Sequence, residues 1–273
     1  MKSDLFYQAA LAVYAVSLVL YVIRFAIRKA TVEAVAWGVL VAGFLPHTVA
    51  VAMRAVEADH VPWSNLFESL TFIAWTMVFA FLAIGFWVKV RALGMFLLPF
   101  PVIGIAVALT LDADQRMPAP LVPALASYWI KIHVPCVILA YGAFAVSFAA
   151  AVGYLVKTRF SGARWTAALP SAEMMDLIAY RAVIIGFPLL TFGVFLGAFW
   201  ANEAWGTYWS WDPKETWSLI TWFVYAVYLH ARLVAGWTSR TTAWVAIAGF
   251  AVVLFCYAGV NMFLSGLHSY AKS

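Results

Sequence analysis

The segment from Trp205 to Trp217, which reads WGTYWSWDPKETW, holds the residues of this chain best suited to binding a ligand. Four tryptophans and one tyrosine fall within it, beside acidic and basic side chains. Indole rings offer wide, flat contact area, little rotamer entropy and an N–H group for a polar edge, which suits a large planar apolar ligand. Aromatic residues also gather at membrane interfaces, although usually only one or two at each helix end. At this point both interpretations stay open.

Two histidines near the same surface could supply metal ligands. His133 lies about one helical turn inside a long apolar segment, and His268 follows the last apolar segment. Imidazole pairs are common axial ligands of haem iron, so these side chains and the tryptophans would form a coherent haem site. A lone interfacial histidine is more often a polar residue without a ligand. Zinc is the competing metal, but it usually needs three or four ligands and gains nothing from aromatic rings.

His230 is predicted to lie within the membrane, where an ionisable side chain suggests a function. It follows Asp212 by 18 residues, which corresponds to about 27 Å of helix. That length places it near the membrane face opposite the tryptophans. His47 is also predicted to be intramembrane, but the same arithmetic separates the two histidines in depth by roughly a dozen Å or more. If His230 binds haem, we expect its second ligand to come from another chain.

The elements that must position these residues are membrane helices. The chain has 273 residues, 66% hydrophobic and 11% charged, which is far from the composition of a soluble domain. Apolar windows of about 20 residues, the length needed to span the hydrocarbon, predict an all-α integral membrane protein with about eight transmembrane helices, at 5–28, 33–53, 66–88, 93–110, 128–156, 178–200, 214–235 and 241–264. The tryptophan-rich loop then lies between helices six and seven of a single membrane domain, 1–273. No cleavable signal peptide is expected.

Lysine and arginine predict the orientation, because cytoplasmic loops are enriched in both. Of the 17 such residues, eleven fall on one side of the predicted bundle: Arg24, Arg28, Lys29, Lys89, Arg91, Lys157, Arg159, Arg164, Arg181, Arg232 and Arg240. We expect that side to be cytoplasmic, so that both termini and the tryptophan-rich loop face outward. The net charge of +5 mostly reflects this bias and gives no indication of nucleic-acid binding.

Local patterns predict further detail. Asp212, followed by proline and then by Glu215, is typical of the N-cap and capping box of helix seven. The segment 157–177 is basic and polar, and its Pro-Ser pair followed by a glutamate predicts the start of a short surface helix. Cys136 and Cys256 lie far apart in apolar helices without a CxxC motif, which indicates a packing role for both.

The run WGTYWSWDPKETWSLITW resembles the tryptophan-rich "WWD" signature of haem-handling proteins in cytochrome c biogenesis. Its DPKETWSLITW portion resembles the CcsA (ResC) branch, the membrane subunit of the System II cytochrome c synthase. HVPWSNLFES and IKIHVPCVILAYGAF resemble the family's segments after the second helix and in the fifth helix. The resemblance covers nearly the whole chain and fits the predicted eight helices.

The resemblance implies roles for particular residues. His133 and His268 would hold haem iron at the outer surface, and His230 would take part in a second haem site near the cytoplasmic side, paired with a histidine of a partner subunit, CcsB (ResB). The external segment 201–217 would contact haem through Trp205, Gly206, Tyr208, Trp209, Trp211, Asp212 and Trp217. Charge and side alone leave Lys214 or Arg54 as candidates to neutralise a haem propionate.

The family's activity gives the expected mechanism. Haem b, as substrate and transient ligand, would cross the inner (plasma) membrane and be presented outside for thioether attachment to the CXXCH motif of an apocytochrome c. Other proteins would keep those thiols reduced. The chain would then be part of a holocytochrome c synthase, a haem lyase complex, in contact with lipid and with its CcsB partner.

Three alternatives remain at this stage. A CcmC-like haem-delivery protein without synthase activity also has a WWD segment and flanking histidines, but it is expected to have six spans and no DPKETW continuation. A haem or small-molecule permease is a second alternative, although a transporter of an aromatic ligand other than haem would leave His133 and His268 unexplained. A permanent b-type electron carrier would favour histidine pairs at one depth, which His47 and His230 do not form.

Overall fold

The computed structural model describes residues 2–88, 90–264 and 266–267, and these form helices and loops with no β-strand among them. In chain order the helices are α1 (Lys2–Ile27), α2 (Ala30–Ala58), α3 (Leu66–Trp87), α4 (Gly94–Leu97), α5 (Pro99–Thr110), α6 (Ala113–Arg116), α7 (Ile130–Arg159), α8 (Ala172–Trp205), α9 (Pro213–Leu233), α10 (Ser239–Leu254) and α11 (Val260–Phe263). Short 3-10 turns occupy Arg91–Leu93, Pro123–Leu125 and Arg164–Ala168. The predicted all-α membrane fold is therefore confirmed.

By length and apolar composition, fewer helices of the described structure qualify as membrane spans than the eight expected. Within the described residues, six helical runs are long and apolar enough to cross a membrane: α1, α2, α3, α7, α8 and the run Ser239–Phe263. A seventh is added if Arg91–Leu97 and Pro99–Thr110, which meet at 43°, form one broken span. The helix α9 is not among them. The count of eight is thus not confirmed.

Helix α7 is the centre of the bundle and packs against α3, α8 and α10. Much of its buried surface is glycine and alanine, the residues that let membrane helices approach closely. At Gly142, a Cβ atom would lie 2.7 Å from the backbone oxygen of Thr76 on α3. This close approach fixes the position of α7, and with it the position of His133 in its first turns.

The first three helices are joined by buried polar groups. His47 on α2 contacts the Tyr14 hydroxyl through Nδ1 (3.1 Å) and the Thr71 backbone oxygen through Nε2 (3.1 Å), so its ring links α1 to α3. Arg54 on α2 pairs with Glu68 on α3 at 2.9 Å, and both side chains are fully buried. The His47 side chain therefore helps to hold α1, α2 and α3 together.

Helix α8 begins where the sequence indicates, but it continues much further. Ser171 is its N-cap and accepts a hydrogen bond from the backbone N–H of Met174 at 3.2 Å. The helix then runs without interruption to Trp205, over 34 residues. The surface helix predicted within 157–177 is therefore wrong as a separate element. Its start is the first turn of a helix whose apolar sequence continues past Pro188 to the tryptophan-rich loop.

Candidate functional site

The tryptophan-rich loop has a defined backbone path. Gly206 ends α8 with φ of 77°, in the left-handed region that glycine adopts without strain. Trp211 also has a positive φ, 59°, which is uncommon for a large side chain and is often found at functional positions. Between them the chain reverses direction and enters α9.

Glu215 and Asp212 hold this backbone in place. The Oε2 atom of Glu215 accepts hydrogen bonds from the N–H of Ser210 (2.8 Å) and from the N–H of Asp212 (3.2 Å). Asp212 caps α9 by accepting from the N–H of Lys214 at 3.0 Å, which completes the capping box expected from the sequence. The loop therefore ends on a pair of carboxylates that are bound to backbone N–H groups.

Aromatic side chains of the loop have different surroundings. Trp211 and Tyr208 are exposed, at 68% and 54% of their surface. Trp209 is half-buried and perpendicular to Trp211, with ring centroids 5.7 Å apart. Trp205 and Trp217 pack on helices instead: Trp205 meets Trp200 of α8 at 4.8 Å, and Trp217 meets Phe255 at 4.3 Å. The loop thus offers an exposed aromatic rim and a half-buried layer below it.

A cavity of about 200 Å³ lies beneath this loop. Its wall is mainly apolar and includes His133, Trp200, Tyr208, Trp209, Lys214, Glu215, Cys256 and Tyr257. Residues 255–259, between α10 and α11, form a π-helical turn that contributes Cys256 and Tyr257. Such turns are often found at functional sites. The cavity therefore brings together one predicted iron ligand and two of the predicted loop residues.

His133 is held in one orientation by α8. Its Nδ1 lies 2.7 Å from the backbone oxygen of Gly193, and its ring stacks with Trp200 at 6.0 Å and 20°. A carbonyl oxygen can only accept, so Nδ1 carries the proton and Nε2 is the basic nitrogen of the neutral ring. This is the tautomer that binds a metal through Nε2, with the other nitrogen fixed by a backbone carbonyl.

Gly197 completes the surface against which His133 rests. A Cβ atom at Gly197 would lie 2.7 Å from Cε1 and 2.8 Å from Nδ1 of the ring. Gly193, Gly197 and Trp200 lie four and three residues apart, and therefore on one face of α8. The sequence reasoning missed this face. The spacing of the two glycines and Trp200 along the sequence could have indicated it, but such spacing is also common in ordinary helix packing.

His268 lies outside the described residues, but the chain just before it is attached to the loop. The N–H of Leu267 donates to Oδ1 of Asp212 at 2.6 Å. A side chain at Gly266 would collide with the same carboxylate oxygen. Asp212 therefore joins the first turn of α9 to residues 266–267, a contact that its capping pattern did not reveal.

His230 is at the other end of α9. It lies in the last turn of that helix and is exposed. Two residues further on, Arg232 forms a two-point ion pair with Asp176 of α8 (2.6 and 2.5 Å), which fixes the end of α9 on the bundle. The predicted separation of His230 from the tryptophan-rich loop by the length of α9 agrees with this placement.

The remaining residues singled out from the sequence are also placed. His60 is half-buried, and its ring nitrogens lie 3.0 and 3.1 Å from the backbone oxygens of Val61 and Ala119. Cys256 is buried, as expected, and receives a hydrogen bond from the Tyr141 hydroxyl at 3.6 Å, whereas Cys136 is only half-buried. Within the described residues, no group of three or more histidine, cysteine or acidic side chains is arranged to bind a metal ion.

Comparison with known proteins identifies the family. The family model described as "Cytochrome C assembly protein" matches residues 63–268. The cytochrome c biogenesis protein CcsA of Guillardia theta is 39% identical, with 86% of this chain and 85% of that protein covered. CcsA of Gloeobacter violaceus is 36% identical, with 96% and 94% covered. CcsA of Chlamydomonas reinhardtii is 41% identical over 80% of this chain and 63% of that protein.

A solved structure shares the fold. The cytochrome c haem lyase CcmF superposes with a TM-score of 0.69 at 17% sequence identity, over 93% of this chain and 46% of that chain. At this identity the similarity concerns the fold alone, and this chain matches less than half of the CcmF chain. The family match and the relatives at 36–41% identity extend over most of the sequence. The chain is therefore a multi-pass membrane protein of cytochrome c biogenesis that belongs to the CcsA family.

Proposed function

We propose that this protein receives haem b and presents it at the outer membrane face for covalent attachment to apocytochrome c, together with a CcsB-type partner. The observation that supports this most directly is His133. Its Nδ1–H is engaged by Gly193, which leaves Nε2 as the basic nitrogen, and its ring lines an aromatic cavity below the tryptophan-rich loop. A planar apolar substrate with a central metal ion matches this combination.

The second outer ligand in this proposal is His268. Its neighbour in sequence, Leu267, is bound to Asp212 of the loop, which supports this assignment. Two imidazole ligands would fill both axial positions of the iron and keep oxygen from binding there. The exposed Trp211 and Tyr208 would contact the porphyrin edge nearest the solvent.

His230 is proposed to bind haem at the cytoplasmic side, with its second ligand from the partner subunit. It is exposed at the end of α9, and it is separated from the outer site by the length of that helix. A ligand on the outer surface of the bundle can be completed by another chain without any rearrangement of this one. The family's CcsB subunit would supply the histidine.

The chemistry proposed for the outer site is addition of a thiol across a vinyl group. A carbon–sulfur bond forms at the vinyl carbon next to the ring, the thiol hydrogen ends on the terminal carbon, and the carbon–carbon double bond becomes single. Atoms and electrons balance, so no external oxidant is needed. The protein's contribution is to hold the vinyl edge still while the CXXCH segment approaches.

An absorption spectrum of the protein, purified with its CcsB-type partner, tests the proposal. We expect the split bands of six-coordinate b-type haem after reduction, and we expect His133→Ala and His268→Ala each to lower haem content. Added imidazole should restore part of the signal by replacing the missing ligand. His60→Ala is the matched control, since it removes an outer histidine that contacts only backbone oxygens in the described structure. Unchanged haem content in both ligand variants would refute the assignment.

A further inference from the structure

Lys214 is a cation on the wall of the cavity, in the first turn of α9. Its Nζ donates to Oδ1 of Asn261 on α11 at 2.9 Å. An ammonium group has three N–H donors, and among the described residues Lys214 takes part in no ion pair. Its partner is thus a neutral amide, although the side chain is charged and half-buried.

The two acidic neighbours of Lys214 are occupied by other donors. Asp212 accepts the backbone N–H of Lys214 itself and that of Leu267. Glu215 accepts the N–H groups of Ser210 and Asp212. Both carboxylates therefore support the loop backbone and the start of α9. The Asp212 carboxylate also attracts Lys214 electrostatically, but in the described structure neither carboxylate hydrogen-bonds the ammonium. The ammonium therefore keeps N–H donors for a further acceptor, in a site with limited water.

Arg54 is the other cation considered for an acidic group of the ligand, and the structure gives it a different role. Its guanidinium lies 2.9 Å from Glu68, and both side chains have no exposed surface. The pair joins α2 to α3. Arg54 is also absent from the cavity wall. Of these two cations, only Lys214 is in a position to meet a ligand in the cavity.

We propose that Lys214 and Asn261 form a carboxylate-binding subsite, which takes one propionate of the haem. This inference rests on the proposed function. The carboxylate accepts from the Lys214 ammonium on the cavity wall, and the side-chain oxygen of Asn261 holds that ammonium in place. In haem, the vinyl groups lie at the edge away from the propionates. Anchoring a propionate at Lys214 therefore directs the vinyl edge away from the first turn of α9.

The test compares haem with haem dimethyl ester, in which both propionates are neutral. Each compound is titrated into the intact protein with its partner, and binding is followed by the absorption spectrum. A charge-assisted hydrogen bond of ordinary strength predicts that the wild type prefers haem over the ester by roughly ten- to a hundredfold. Lys214→Met should bind haem and the ester equally, with the affinity for the ester unchanged, which also shows that the variant is folded.

Lys131→Met is the matched control. Lys131 is an exposed lysine two residues before His133, so it tests whether any nearby positive charge produces the preference. We expect this variant to keep the preference for haem. A wild type that binds both compounds equally, or a Lys214→Met variant that keeps the preference or loses both compounds to the same extent, would overturn the subsite. Absence of haem binding, with a spectrum indifferent to His133→Ala, would instead refute the proposed function and the subsite with it.

Discussion

Replacing Gly197 by alanine should displace His133 without removing any polar group. The new Cβ atom would lie 2.7 Å from Cε1 of the ring, whereas ordinary contacts begin at 3.4 Å. The ring or the helix must therefore shift by roughly 0.7 Å to restore van der Waals separation. The 2.7 Å contact of Nδ1 with Gly193 is on the same face of α8, so a shift of the ring away from that helix lengthens the hydrogen bond and moves Nε2.

The magnitude follows from how strictly a ligand must be positioned. A misplacement of about 1 Å can cost around a hundredfold in a site of defined geometry, so we expect haem affinity to fall by about ten- to a hundredfold. The free energy of unfolding should rise or change very little, because replacing glycine by alanine inside a helix is favourable by about 1 kcal/mol before any clash is counted.

The assay is a haem titration followed by absorbance, with and without imidazole. Imidazole should recover much of the six-coordinate spectrum, since it replaces a misplaced ligand but does not repair a disturbed fold. Gly38→Ala is the control: that glycine is also inside a helix, and a Cβ atom there meets nothing within 4 Å. If Gly197→Ala binds haem as tightly as the wild type does, the contact with α8 does not position His133, and the reasoning fails.

Three further variants test other contacts. Asp212→Ala should lower the free energy of unfolding by about 1 kcal/mol through loss of the N-cap, measured by thermal unfolding in detergent; a fully stable variant without haem binding would make this side chain a direct contact instead. Gly266→Ala collides with Asp212 and should weaken haem binding in a way that imidazole repairs, whereas Gly162→Ala, with nothing within 4 Å, should not; equal effects would contradict the contact. Glu68→Gln leaves the buried charge of Arg54 without its counter-charge and should cost about 3–5 kcal/mol; replacing both by apolar residues should recover most of that loss, and no recovery would argue that the pair has another role.

The features that the sequence predicted correctly are mostly local. A capping box depends on residues three positions apart, so Asp212 and Glu215 were sufficient to place the start of α9. Long apolar windows likewise predict helices without knowledge of their neighbours. The end of α8 was predicted less well: the sixth apolar window stops at residue 200, whereas the helix continues to Trp205 and has Gly206 as its C-cap.

Features that depend on distant residues were not predictable in this way. Asp212 also binds Leu267, which is 55 residues away, and no pattern near either residue indicates that contact. The orientation of His133 depends on the face of α8 that contains Gly193 and Gly197. The position of Lys214 near Asn261 depends on the π-helical turn before α11. This turn changes which side of α11 faces α9, and helix propensities do not predict it.

The contact between Asp212 and Leu267 has a consequence for synthesis of the protein. The loop, α9 and the cavity wall on α7 and α8 are all made before residues 266–267 leave the ribosome, and α10 and α11 lie between. The Oδ1 atom of Asp212 can therefore accept from the Leu267 N–H only after α10 and α11 have been made. A nascent chain has the tryptophan-rich loop and much of the cavity wall first. It gains Cys256 and Tyr257 with the turn after α10 and makes the contact between Asp212 and Leu267 last.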